Sequence, residues 1–233
     1  MYNEISRVES RDVFVPLKIT LTDERSEGSS VEVSKLSDEI ARAQVGKWLR
    51  EFQKGFNRYV INVEKIGICL IDGELGDGEV SGGKVCVALP EHEEMIGQTK
   101  KHLGVDSVQS SIEDIEKVAY TVATSVVLHE STHKLIESSP GSSLHAKLEE
   151  LRDKEDSDAK YSTFVDELIV VAVQRLFNKM HAFKQLSKES DEIYVAADHL
   201  AGATLSMLKG EMDIDGYLQE VHNQALSIYE ENE

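Results

Sequence analysis

The stretch Val126-Val127-Leu128-His129-Glu130-Ser131-Thr132-His133-Lys134-Leu135-Ile136 sets two histidines four residues apart inside an apolar run. The run belongs to a longer helical pattern. Ser111-Ile112-Glu113-Asp114 has the form of a capping box, a serine followed three positions on by an acid. From there apolar residues recur in steps of three and four at Ile115, Ala119, Val122 and Val126. The same rhythm continues through His129, His133 and Ile136, so one helix is expected from Ser111 to about Glu137, stopped at Ser139-Pro140-Gly141. Both histidines then fall on its core-facing side, one turn apart, where Cβ atoms approach to about 5–6 Å. Two imidazoles at that spacing can hold one metal ion, and Zn²⁺ suits paired imidazole nitrogens. Glu130 is rotated by about 100° from His129, which places its carboxylate beside the metal rather than on it. A carboxylate there can take a proton from metal-activated water and hand it on to a leaving amine.

Working outward, the chain changes character near Pro90, with short β-like runs before it and helices after it. Val13–Leu21 is β-branched and partly alternating, and Tyr59–Val63, Ile66–Ile71 and Lys84–Leu89 read as strands. Ser37-Asp38-Glu39 is expected to open a helix to about Phe56. The five glycines of Gly73–Gly83 predict a mobile loop, and its acids do not have the spacing of a calcium loop. His92, within Pro90-Glu91-His92-Glu93-Glu94, reads as part of a solvated charge run. Beyond Pro140, helices are expected over Ser143–Arg152, Ser162–Phe183, Lys188–Leu208 and Asp213–Glu230. The expected fold is α+β: a small N-terminal mixed or antiparallel sheet with one helix, then a mainly helical C-terminal lobe. The division falls at 1–109 and 110–233 within one compact domain.

Composition narrows the function classes. Hydrophobic residues make up 40% of the 233, enough to fill a core. A formal net charge of −18 repels phosphate backbones and anionic lipid, so neither nucleic acid nor a membrane surface is an expected partner. Cys69 and Cys86 are too few and wrongly spaced for a disulfide framework or a zinc knuckle, and read as reduced core thiols. The first residues lack the basic and apolar regions of a signal peptide, and no stretch reaches the ~20 apolar residues of a membrane span. A cytoplasmic location is expected. Nothing in the pattern bears on oligomeric state.

His129-Glu130-x-x-His133 on a helix, after a small sheet and before a helical lobe, resembles the zincin metallopeptidases. Lys134 departs from strict forms of the motif, which prefer an uncharged residue there. The resemblance implies a cleft between sheet and helical lobe, one Zn²⁺ held by His129 and His133, Glu130 as the catalytic base, and a peptide or protein substrate. The other reading is a protein that keeps this fold only to bind or regulate a partner; Glu130 speaks for catalysis, because a purely structural site needs no base.

The family's third ligand separates its branches. Ile136 and Ser139 stand where metzincins carry a glycine and a third histidine, which excludes that branch. Gluzincins use a glutamate from a later helix. Glu167, ahead of the apolar run Leu168–Val173, is the residue this implies, and Asp166 or His145 could serve instead. Gluzincins of the thermolysin kind orient a zinc histidine with an aspartate four residues after the ligand. That position is Val171, so Asp198, beside His199, is the expected substitute. Tyr161, Tyr194 and His199 are the candidates for steadying a developing oxyanion. Zincins also pair an extended peptide with an edge strand above the active helix. By chain order that strand is Val85–Leu89.

Overall fold

The computed structural model describes residues 15–229 apart from 27, 61, 105–110, 138–143, 145–146, 148–158 and 182–191, and apart from the side chains of 159, 160 and 162. Its strands are β1 (Lys18–Asp23), β2 (Lys65–Ile71), β3 (Gly78–Ser81) and β4 (Lys84–Ala88). Its helices are α1 (Ser30–Arg42), α2 (Val45–Gly55), α3 (His92–Leu103), α4 (Ile112–Glu137), α5 (Ala159–Met180), α6 (Glu192–Leu208) and α7 (Ile214–Tyr229). The fold is α+β, with a small mixed sheet and a majority of helix.

The strands lie in the order β1-β2-β4-β3. β1 and β4 each run parallel to β2, while β3 turns back antiparallel on β4. Gly82 and Gly83, at φ 56° and 79°, make the two-residue turn between them. Left-handed backbone at both positions suits glycine and matches the twist of the strands that the turn joins. One face of the sheet carries Ile66, Ile68, Leu70, Val85 and Val87, all buried, and α4 lies against it.

α4 is the centre of the molecule. Every residue from Ala119 to Leu128 is buried, which no single stripe would produce. The sheet, α1, α2, α3 and α5 surround it. Its start is capped as the sequence implies: Ser111 Oγ accepts the Asp114 N–H at 3.1 Å and donates to the Asp114 carboxylate at 2.8 Å. One apolar core joins the strands to the C-terminal helices, so the described residues on either side of the expected division share their packing.

Several expectations need correction. The single helix from Ser37 to Phe56 is two. It starts earlier, at Ser30, and breaks at Gln44, whose φ is 55°. Past the break, a Cβ at Gly46 would lie 1.9 Å from the Leu17 carbonyl, so α2 opens against the entry to β1 where only glycine fits. Tyr59–Val63 is not a strand among its described residues, because Tyr59 and Val60 instead close turns on the Phe56 carbonyl. The glycine-rich loop contains β3, and the charged stretch after Pro90 opens α3. A buried cluster accounts for α3. Arg25 donates to Glu32 at 2.7 Å and to the Leu89 carbonyl at 2.8 Å, and Glu32 accepts the His92 N–H at 2.8 Å. One carboxylate thus pairs a buried cation and meets the first turn of a helix. The helix expected over Ser143–Arg152 lies almost wholly outside the described residues. Cys69 and Cys86 are buried free thiols at one cross-strand position. Among the described residues no helix is long and apolar enough to cross a membrane.

Candidate metal centre

α4 and α5 pack side by side and antiparallel, which brings Glu167 to His133 and Gln174 to His129. His129 Nε2 and His133 Nε2 are 3.2 Å apart. Glu167 places Oε2 3.0 Å from His133 Nε2 and Oε1 3.6 Å from His129 Nε2. Ligands on tetrahedral zinc, at bonds of about 2.0–2.1 Å, stand about 3.3 Å from one another. The two imidazole nitrogens stand close to that spacing, and each has one of the two Glu167 oxygens within 3.6 Å, so two imidazoles and a carboxylate converge where one metal ion could sit. Among the described residues no other group of three His, Cys, Asp or Glu side chains converges in this way.

Gln174 decides which histidine nitrogen is available. Its Nε2 donates to Ser125 Oγ at 3.0 Å, so its Oε1 faces His129 Nδ1 at 3.1 Å. An amide oxygen only accepts, so the proton sits on Nδ1 and leaves Nε2 with a free lone pair for a metal. One turn beyond Glu167, where an orienting acid is expected, stands Val171. The partner lies two turns beyond, at a position seven residues on that returns to the same helix face, and it is an amide. The signal was present: Gln174 interrupts an apolar run, Leu168–Val173, whose members are all buried.

Glu130 lies beside the group and outside it. It is 7% exposed, and Oε1 is 3.9 Å from His129 Nε2. Burial pushes its carboxyl up to about 7; the charges of Glu167, Glu137 and Glu79 add to the effect and His133 opposes it. Burial also pulls the His129 imidazole below its ordinary value, and the Glu167 charge offsets only part of this. For His133, burial acts downward, but the bond to Glu167 and the charges of Glu167, Glu130 and Glu137 together outweigh it, and the value rises. Burial would raise Glu167, yet the bond from His133 and the charge of His129 hold it below the usual carboxylate range. Each of the two favours the charged form of the other, as ion-pair partners do, across a 3.0 Å contact where a metal ion would sit.

The remaining candidates go elsewhere. Asp198 is not the residue that orients a ligand histidine: it is half exposed and accepts from Arg175 Nε at 2.8 Å. Its neighbour His199 is exposed, and the Arg175 guanidinium lies over the ring of Tyr194. Tyr161 is buried, with its hydroxyl 2.6 Å from His222 Nδ1 on α7. None of these four is in the group that converges on the histidines: Asp198 and Tyr194 meet Arg175, and Tyr161 turns toward α7. Asp166 is not part of the converging group, and His145 lies outside the described residues. The edge strand is also corrected. β4, with Val85–Ala88, is held between β2 and β3, and the margins of the sheet are β1 and, on the side of β4, β3.

No family model, no curated protein and no solved structure matches this chain. The site stands on its own geometry.

Proposed function

We propose that this chain is a zinc-dependent metallohydrolase that cleaves peptide bonds, with His129, His133 and Glu167 as ligands and Glu130 as general base. The observation that carries the reading is the convergence of two imidazole nitrogens and a carboxylate oxygen within 4.8 Å of one another, next to a buried carboxylate that is not part of the group. When bound, Zn²⁺ supplies a Lewis acid that acidifies water and polarises a carbonyl. The chain's residues supply the rest. Gln174 holds His129 in one tautomer. Glu130, at about 7, accepts a proton from water near neutral pH and returns it to the leaving amine. Burying an acid beside two histidines is unfavourable, and a binding site without chemistry would have no use for it.

β3 supports a place for the substrate. In a hairpin closed by two residues, hydrogen-bonded pairs alternate outward from Ser81↔Lys84 and Glu79↔Cys86. Gly78 and Val80 then turn their N–H and C=O groups away from β4, toward the free edge beside α4. An extended peptide adds to such an edge through main-chain bonds.

The test is metal analysis together with hydrolysis of a peptide library by the full chain after zinc supplementation. About one zinc per chain, lost in the His129→Ala, His133→Ala double variant, and cleavage abolished by a chelator are expected. Protein that takes up no zinc, or cleavage indifferent to the double variant, would overturn the reading.

A further inference from the structure

We propose that Gly78 is a positioning residue for Glu130: the missing side chain at this one place in the sheet is what lets the carboxylate stand above the two histidines. The inference rests on the functional reading above and adds a residue to it. Strand alternation puts Gly78, like its cross-strand partner Val87, on the helix-facing side of the sheet. Val87 on β4 and Val80, two residues further along β3, fill that side with side chains, and Gly78 does not. No turn requires glycine there. The residue lies within β3 and has no positive φ, and in a strand glycine lowers stability unless something needs to come close.

What comes close is α4. A Cβ on residue 78 would lie 2.7 Å from Glu130 Cγ, 2.7 Å from Val126 Cγ1 and 3.0 Å from Glu130 Oε1. Val126 and Glu130 stand one turn apart and form the two sides of the notch. Val126 is buried, and a β-branched side chain in a helix has essentially one rotamer, so it cannot give way. Glu130 has three rotatable bonds and can. A methyl group at position 78 therefore displaces the carboxylate while the ligand triangle, built between α4 and α5, keeps its place.

The experiment compares wild type, Gly78→Ala and Gly78→Ala/Val126→Ala as full chains loaded with zinc. For Gly78→Ala, kcat on a cleaved peptide should fall about a hundredfold, the effect of misplacing a catalytic group by about 1 Å. KM and zinc affinity, the latter read by competition with a chromogenic chelator, should change less than about threefold. The thermal midpoint should fall by a few degrees at most, because the methyl group also presses on the Val126 side chain and the strand must ease away from it. A crystal structure of the variant should show the Glu130 carboxylate moved by about 1 Å or more. Removing the Val126 methyls opens the other side of the notch, so the double variant should regain at least tenfold in kcat. Wild-type kcat in Gly78→Ala, an unmoved carboxylate, zinc affinity falling in step with kcat, or failure of the variant to fold would each overturn the proposal. If wild type binds no zinc and cleaves nothing, the functional reading fails instead, and the position of Glu130 in the two crystal structures still decides the role of Gly78.

Discussion

Replacing Glu130 by glutamine should stabilise the metal-free protein at pH 8 and leave it nearly unchanged at pH 4. Glu130 ionises at about 7 in the fold, against an ordinary 4.5, because burial strips water from the carboxylate. The folded state therefore holds its proton over a range of pH where the unfolded chain has released it. Below 4.5 both states are protonated and the group has no effect on stability. As pH rises from 4.5 to about 7 the unfolded state is increasingly favoured, and above 7 the full difference applies. That difference is up to about 3 kcal/mol. Glutamine keeps the shape and removes the charge, so its gain follows the same window. For a chain of this size it corresponds to roughly 5–10 °C in thermal midpoint. The assay is thermal unfolding of wild type and Glu130→Gln with chelator present, at pH 4, 6 and 8. With zinc bound the gain should shrink, because the cation favours the charged carboxylate. Hydrolysis by the variant should fall at least about a thousandfold, since an amide cannot accept the proton. Equal midpoints at pH 8, or the same gain at pH 4 as at pH 8, would refute the claim that this carboxylate is buried against its charge.

Glu167→Ala should weaken zinc binding at least about tenfold in a chelator competition, through loss of a ligand; unchanged affinity would move the third donor elsewhere. Gln174→Leu should weaken zinc about 10–100-fold by freeing the His129 tautomer, while Gln174→Glu, which still accepts from Nδ1, should retain most of it. Zinc affinity should decline as pH falls through the raised His133 value, so the decline starts at higher pH than an ordinary imidazole would give. Titration calorimetry at pH 6.5 in buffers of different ionisation enthalpy should register proton release on binding, and heats independent of buffer would contradict the His133–Glu167 ion pair.

Much of the site was legible in the sequence because it is local. A capped helix with two histidines at i and i+4 defines its own face, and the geometry within one turn does not depend on the rest of the chain. Glu167 could be named because the resemblance implies a glutamate from a later helix, and this one stands ahead of a wholly apolar run where a bare carboxylate would be costly. The mainly helical second half, the small sheet before it and the core positions of both cysteines came from periodicity and composition.

What chain order could not supply is which elements become neighbours. β3 precedes β4 in sequence but lies outside it, so the sheet margin falls in a glycine-rich segment that reads as loop. Asp198 was the expected partner for a ligand histidine, and it is packing that set Gln174 of α5 against α4 and turned Asp198 toward Arg175. Gly46 and Gly78 look like any other glycine until the Leu17 carbonyl and the Glu130 side chain are found against them. A helix carries its geometry within its own turns. The approach of one backbone to another is set by every layer between them, and only the packed molecule reveals it.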